Sequence, residues 1–170
     1  MSKLTVYKCD QPVLRLKTAP VKNIDRELKK LVGDMWDTLY TANGVGLAAN
    51  QVGVSLQVLV IDTRVEQNNK KIVLLNPKII TSSKDCLHEE EGCLSVPGVN
   101  AKVERSKKVK VEGLDLHGKK IEVEGEDLFS RALQHELDHL AGIVFIDRLN
   151  FWERLKALKN IRDQKNQGKW

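Results

Sequence analysis

The chain has 170 residues and a formal net charge of +5 at pH 7, and 41% of its residues are hydrophobic. This length and composition suffice for one domain with a hydrophobic core. No apolar run approaches the ~20 residues of a transmembrane helix, and no secretory signal is recognisable at the amino terminus. The odd number of cysteines argues against a disulfide framework and favours a reducing compartment. We therefore expect a cytoplasmic protein, although a processed organellar form would show the same features.

The first half of the sequence predicts one helix, a loop rich in small residues, and several strands. Asn23 or Asp25 can cap a helix that extends to about Tyr40, because apolar residues recur there at helical spacing. A glycine-rich loop follows over residues 43–53. Strands are then predicted at residues 56–62, 72–76 and 78–82.

The second half predicts a hairpin followed by a helix. Residues 108–112 alternate between polar and apolar side chains, and His117-Gly118 is typical of a turn into a strand at 120–124. Asp127 can cap the next helix, which Gly142 is expected to end. Because strands and helices do not alternate regularly along the chain, an α+β fold is favoured over a doubly wound sheet.

The last 21 residues form a separate basic segment. Six basic and two acidic side chains in residues 150–170 account for +4 of the net charge of +5. A helix there would place five apolar residues on one face, namely Phe151, Trp152, Leu155, Leu158 and Ile161. This helix could dock on RNA through its basic residues. Alternatively, its apolar residues could pack on the domain while the lysines remain solvated.

Residues 134–140, QHELDHL, place two imidazoles on one helical face. His135 and His139 lie about 40° apart around the helix axis, nearly opposite a leucine stripe. A third face can contact water and consists of Arg131, Gln134 and Asp138. Burying two imidazoles is unfavourable without a partner, and a metal ion would satisfy both. Glu136 would then act as a general base on a water molecule, although chance could also produce this HExxH pattern.

Two imidazoles do not suffice to hold a catalytic metal ion, so a third ligand is required. Zincin metalloproteases supply theirs downstream of the helix, where only Glu153 is available in this chain. The other candidates are Cys9, Cys86, Cys93, His88, His117 and several acidic residues. Cys93 lies in a short strand-like segment, residues 91–97, but a buried structural cysteine would have the same pattern.

Residues 44–49 match the GxGxxA pattern of dinucleotide-binding loops, but their context does not. That pattern follows a strand and opens a helix, whereas here it follows a helix and precedes a strand. The small side chains instead permit an extended peptide to approach closely. Gln51 in this loop could polarise a carbonyl group, although an ordinary surface glutamine would look the same.

Three segments together resemble the bacterial-type peptide deformylases: GVGLAANQVG at 44–53, EGCLS at 91–95 and QHELDHLAG at 134–142. They occur in the order and near the spacing of that family, and the resemblance covers roughly residues 4–149. It implies mixed or antiparallel sheets packed around a central metal-binding helix, with a helix near each terminus. We expect one metallohydrolase domain at residues 1–149, followed by the basic amphipathic helix and tail at 150–170.

The resemblance also implies roles for individual residues. The metal ligands would be Cys93, His135 and His139, with water in the fourth position. Glu136 would be the general acid and base, while the Gln51 side chain and the Leu94 backbone N–H would stabilise the oxyanion. The substrate backbone would lie along Val45, Gly46 and Gly92, and its methionine side chain would contact Leu128 and Ala132. Arg131 and Glu89 stand where some relatives carry apolar pocket residues.

The implied activity is removal of the N-formyl group from the amino-terminal methionine of newly synthesised proteins, with release of formate. The implied metal is Fe²⁺ in the cell, and Zn²⁺, Ni²⁺ or Co²⁺ can substitute. The expected partners are N-formyl-methionyl nascent peptides and, through the basic helix, the ribosome. We expect a monomer in the bacterial cytoplasm without membrane or DNA partners.

Two alternatives belong to other functional classes. A zincin-like endopeptidase would require a ligand after His139. A non-catalytic, metal-stapled module that binds the ribosome would require four protein ligands and no open coordination position.

Overall fold

The structure is a computed structural model that describes residues 3–64, 70–168 and 170 of the chain. Within these residues it contains three α-helices: α1 (Arg26–Thr41), α2 (Asp127–Leu140) and α3 (Phe151–Asn166). The strands are β1 (Gly46–Ala48), β2 (Val58–Asp62), β3 (Lys71–Ser82), β4 (Cys86–Cys93), β5 (Val96–Ser106), β6 (Lys108–Leu114) and β7 (Lys120–Glu126). Short 3₁₀ helices span Pro12–Arg15, Ala49–Val52 and Phe145–Arg148.

The strands form two antiparallel sheets that share no strand. One sheet has the order β1-β2-β3-β6-β7, and the other is the hairpin of β4 and β5. Helix α2 contacts both sheets, and its apolar face packs with buried residues of β2, β3 and β6. The predicted α+β fold is therefore confirmed, and it places α2 where two sheets can contribute side chains to one site.

Strand β3 continues through a proline at which the sequence predicted a break. The two strands expected at 72–76 and 78–82 are one strand, Lys71–Ser82, so that prediction was wrong. Its pairing with β6 shifts register between Leu75 and Lys78, and Asn76 adopts φ +51°. Because Pro77 cannot donate to the ladder, the pairing shifts register at this point and the strand continues beyond it. Strand β2 begins at Val58, two residues later than expected.

Helix α1 begins as the sequence indicated, whereas helix α2 does not. The Asp25 side chain caps α1 by accepting a hydrogen bond from the Leu28 N–H at 2.8 Å. At α2 the cap position is Glu126, which makes no side-chain cap hydrogen bond, and Asp127 is the first residue of the helix with a left-handed φ of +51°. The prediction that Asp127 caps α2 was therefore wrong by one position.

Gly142 ends α2 as predicted, and the structure shows why glycine is needed there. Its φ is +80°, a left-handed conformation that side chains disfavour, and its N–H donates to His139 O at 3.0 Å. A Cβ at this position would lie 2.8 Å from Arg15 O. The end of the helix is thus set by both backbone conformation and close packing.

Helix α3 exposes most of its predicted apolar face. Ala157 and Ile161 are buried in a cluster with residues of β5. The solvent-exposed residues are Phe151, Trp152, Leu155 and Leu158, at 70, 75, 52 and 45% exposure. The alternative in which these four residues pack on the domain is therefore contradicted. No helix in the described part of the chain combines the length and apolar character needed to cross a bilayer.

Candidate active site

Three potential metal ligands from two different elements meet at one point. Helix α2 projects His135 and His139 from one face, and the hairpin brings Cys93 beside them. One ligand atom from each residue lies within 4.8 Å of the other two, and Cys93 Sγ is 3.2 Å from His139 Nε2. The other candidate ligands, Cys9, Cys86, His88 and His117, do not join this cluster within the described residues. A thiolate with two imidazoles is a donor set suited to zinc or ferrous iron.

The environment of the ligands favours metal binding. His139 is fully buried, and burial lowers its pKa well below the usual range, so its ring is neutral and can coordinate a cation. Cys93 Sγ accepts hydrogen bonds from the Ser95 N–H at 3.4 Å and from Gln51 Nε2 at 3.6 Å. These contacts orient the sulfur toward the imidazoles.

Glu136 stands beside the cluster without a hydrogen-bond partner for one of its oxygens. The residue is buried, and Oε2 has no partner among the described residues. Burial raises the pKa of Glu136 to about 7, although the His135 charge opposes this shift. A buried oxygen without a partner is costly, and a water molecule at the metal site would satisfy it. A carboxyl group with a pKa near neutrality can both accept and return a proton.

Gln51 and Leu94, the predicted oxyanion donors, both adjoin the cluster. Gln51 Oε1 accepts from the Ala48 N–H at 2.8 Å, and Nε2 donates to Ser95 Oγ at 3.2 Å. These two hydrogen bonds fix the orientation of the amide, with its NH₂ group toward Cys93. Leu94 lies directly after Cys93 in the turn between β4 and β5.

A cavity of about 470 Å³ opens onto these groups. Ten of the eleven predicted site residues line it: Val45, Gly46, Gln51, Gly92, Cys93, Leu94, Leu128, Ala132, His135 and Glu136. The eleventh, His139, is fully buried. The volume falls in the usual range of ligand pockets. Arg131 also lines the cavity, so its wall is partly polar.

Glu91 orients His135, a role that was not expected from the sequence. His135 Nδ1 is 2.9 Å from Glu91 Oε2. Burial by itself would raise the pKa of Glu91, but hydrogen bonds from His135 and Arg105 outweigh it and lower the pKa to about 2. The ionised carboxylate can only accept, so Nδ1 carries the hydrogen. Burial lowers the pKa of His135, but hydrogen bonds with Cys93 and Glu91 outweigh it and raise this pKa well above the usual range, so a metal ion at Nε2 would take the place of a proton. The sequence did contain a signal for this contact. Glu91 lies two residues before Cys93 in a strand-like segment, and residues two apart in a strand lie on the same face.

The helix face predicted to contact water is buried instead. Arg131 and Asp138 are only 6 and 7% exposed, and Gln134 is hydrogen-bonded to the backbone of β5. Arg131 binds Glu91, and Asp138 binds Arg105. The prediction was wrong because the long β4–β5 hairpin, which covers this face, was recognised only around residues 91–97. Arg105 carried no recognisable signal in the sequence.

A cysteine sulfur, two imidazoles, a buried acid and amide donors around one cavity define a metal-dependent hydrolase site. Comparisons with known proteins agree. The family model described as Polypeptide deformylase matches residues 3–155. Peptide deformylase of Aquifex aeolicus (strain VF5) is 48% identical over 152 residues, which cover 88% of this chain and 89% of the relative.

Solved structures give the same result. A peptide deformylase from Legionella pneumophila has a TM-score of 0.91 and 41% identity, and the match covers 98% of both chains. A peptide deformylase from Synechococcus elongatus, solved in complex with actinonin, has a TM-score of 0.87 and 40% identity, and the match covers 92% of this chain and 86% of that one. This chain belongs to the polypeptide deformylase family.

The deformylase activity predicted from the three motifs is thereby confirmed, and the chain is a metal-dependent hydrolase of this family. Neither the zincin-like endopeptidase nor the non-catalytic module is favoured. A cluster of three potential protein ligands, within the described residues, agrees with a catalytic rather than a structural metal site.

The Glu136 carboxylate occupies space that is open because residue 46 is a glycine. A Cβ at Gly46 would lie 2.9 Å from Glu136 Cδ, so Gly46→Ala must displace the carboxylate. We expect kcat/KM on a formyl-Met peptide to fall by roughly 100-fold, with the protein still folded. Gly33→Ala is the matched control, because a Cβ there meets nothing within 4 Å. It should retain activity and gain roughly 0.5–1 kcal/mol of stability in urea unfolding. Wild-type turnover of Gly46→Ala would contradict the expectation that activity depends on the position of the Glu136 carboxylate.

Proposed function

We propose that Cys93, His135 and His139 hold one divalent metal ion and that Glu136 moves the protons during deformylation. The substrate is the N-formyl-methionyl end of a nascent protein, and the products are formate and a free α-amine. The observation that carries this proposal is the cluster of three ligand atoms within 4.8 Å, with the buried Glu136 beside it.

The chemistry follows from the positions of the side chains. A metal ion held by Cys93, His135 and His139 would act as a Lewis acid and would lower the pKa of the attacking water. Glu136 accepts a proton from the attacking water and then donates it to the departing amine. Gln51 Nε2 and the Leu94 N–H donate to the carbonyl oxygen as negative charge develops there. The C–N bond breaks, the amine keeps the transferred proton, and the formic acid gives up its own proton to the solvent and leaves as formate.

The substrate backbone is proposed to add to the edge of a sheet. Among the strands of the described residues, β1 is the first of its sheet and pairs with β2 alone, so its outer edge can accept an extended peptide. Gly46 begins this strand and Val45 precedes it, and both line the cavity together with Gly92. Leu128 and Ala132, on α2, line the place proposed for the methionine side chain.

The assignment of Cys93 as the third ligand can be tested with its two fellow cysteines as controls. Cys93→Ser should lose tightly bound metal, measured by elemental analysis after gel filtration, and with it the hydrolysis of formyl-Met-Ala-Ser. Cys9→Ser and Cys86→Ser should retain both, because neither residue belongs to the cluster. Stoichiometric metal and normal turnover in Cys93→Ser would overturn the assignment.

Glu136 is proposed to act on water and not on the metal. Glu136→Ala and the more conservative Glu136→Gln should therefore keep one metal ion per chain while kcat falls by roughly 10²–10⁴. The measurements are metal content and steady-state kinetics on the same preparation. Loss of metal together with activity would instead make Glu136 a ligand or a structural support.

We propose Fe²⁺ as the metal in the cell, with Zn²⁺, Ni²⁺ or Co²⁺ able to substitute. The donor set accepts all of these ions, but iron, unlike zinc, brings a redox partner next to the Cys93 sulfur. Protein loaded anaerobically with Fe²⁺ should turn over faster than the Zn²⁺ form and lose activity sooner in air. Equal turnover and equal lifetime of the two forms would exclude the iron preference.

We further propose that the enzyme acts as a cytoplasmic monomer and that α3 docks it on ribosomal RNA. Trp152, Lys156 and Lys159 follow each other at i, i+4 and i+7, so one exposed line of the helix carries an aromatic ring and two cations. Neither lysine forms an ion pair with another described residue, whereas Arg154 and Lys165 bind Asp147 and Asp10. Exposed aromatic rings stack on unpaired bases, and free cations bind phosphates.

The docking proposal predicts a salt-dependent loss of ribosome binding. Replacing Trp152 with Ala and both Lys156 and Lys159 with Gln should weaken co-sedimentation with ribosomes at low salt and reduce its salt slope. Hydrolysis of a free formyl-Met tripeptide should not change. Lys22→Gln with Lys29→Gln removes the same charge from another exposed region and serves as the control. Identical co-sedimentation of both variants and the wild type would show that α3 is only a solvated helix.

A further inference from the structure

The proposed metal ligands lie on two elements that do not belong to one sheet. Cys93 is the last residue of β4 in the two-stranded hairpin, and both histidines lie on α2. The hairpin does not pair with the five-stranded sheet on which α2 packs. Contacts made by side chains across this boundary therefore help to hold the sulfur beside the imidazoles.

Arg105 reaches from the hairpin to the helix. Its Nε and Nη2 donate to the two oxygens of Glu91 at 2.8 and 3.1 Å, which fixes the guanidinium beside β4. Its Nη1 donates to Asp138 Oδ2 on α2 at 2.5 Å. One guanidinium thus joins a carboxylate of the hairpin to a carboxylate of the helix.

Arg131 makes the reverse connection, from the helix to the hairpin. Its Nη1 donates to Glu91 Oε1 at 2.8 Å and to Val103 O at 2.9 Å, and its Nη2 donates to Leu87 O at 3.0 Å. These acceptors belong to both hairpin strands. Arg131 therefore ties β4 and β5 together to α2.

These four residues form a buried charge network: Glu91, Arg105, Arg131 and Asp138, which are 5, 5, 6 and 7% exposed. Separating the hairpin from the helix would break the Arg105–Asp138 hydrogen bond and the hydrogen bonds that Arg131 makes with Glu91, Val103 and Leu87. Asp138 would keep its ion pair with Arg148. The network also meets the metal site directly, because Glu91 accepts from His135 Nδ1. Both the hairpin that carries Cys93 and the ring of His135 are thus held by the same network.

We propose that Arg105 and Arg131 are positioning residues that join the Cys93 hairpin to the histidine helix and thereby set the affinity of the site for its metal. The inference rests on the ligand set given under the proposed function. Arginine is required because its planar fork serves several acceptors at once. Lysine keeps the charge but is a point donor, so it cannot reproduce the contacts of Arg131 with both strands.

The test compares Arg131→Lys and Arg105→Lys with the wild type in their binding of Zn²⁺. Competition with a chromophoric chelator should show a Kd raised by roughly 10–100-fold. Hydrogen exchange of zinc-free protein should be faster in β4 and β5 of the variants, and Zn²⁺ should restore the protection. Val111→Ala is the control: this buried β6 residue packs in the α2 cluster, outside the network. It should lower the melting temperature but leave the Kd for Zn²⁺ unchanged.

A Kd within twofold of the wild type together with unchanged hairpin exchange, in Arg131→Lys, would overturn the inference. Arg131→Gln replaces any variant that does not fold and is judged by the same criterion. Cys93→Ser, measured in parallel, tests the ligand set separately from the positioning role. Wild-type zinc affinity in Cys93→Ser would refute the ligand set. Loss of zinc affinity in Cys93→Ser, with wild-type affinity in both arginine variants, would refute only the positioning role.

Discussion

The carboxylate of Glu91 is the contact on which the geometry of the site depends. It accepts four hydrogen bonds, two from Arg105 and one each from Arg131 and His135, while almost fully removed from water. A buried carboxylate is tolerated only with such partners. Because the partners come from α2 as well as from the hairpin, satisfying this one charge requires the two elements to be in register. That same register brings Cys93 to the imidazoles.

Helix α2 is unusual because ten of its 14 residues are buried, although it is not a hydrophobic helix. Leu133 and its apolar neighbours pack on the five-stranded sheet. The imidazoles and Glu136 face the cavity or its wall, and Arg131 and Asp138 face the hairpin. The buried charge network satisfies one polar face, and the metal ion of the proposed function would satisfy the other. One 14-residue helix is thus a core element that also carries the proposed metal ligands and the proposed proton carrier.

Helix α3 stands in contrast, because it contributes nothing to the lining of the cavity. It is anchored by Ala157 and Ile161, together with ion pairs from Arg154 and Lys165 at its two ends. The aromatic rings of Phe151 and Trp152 pack edge to face with their centroids 5.1 Å apart, but both side chains remain largely exposed to solvent. Exposed aromatic side chains beside lysines without an ion-pair partner in the described residues do not stabilise the fold. Such a surface is typical of a site that contacts a partner.

The sequence by itself determined the features that depend on local spacing. The i, i+4 histidines, the Asp25 cap, the glycine that ends α2 and the α+β class all follow from periodicity and from the properties of single residues. Local spacing did not identify the proposed third metal ligand, because it left several candidates. Only the resemblance of three motifs to a known family selected Cys93. Tertiary structure alone decided which surface covers each face: Asp138 is buried under the hairpin, Glu91 reaches His135, and Trp152 remains exposed. Periodicity states which side chains share a face, but the partner of that face comes from residues distant in the chain, such as Arg105, and carries no local signal.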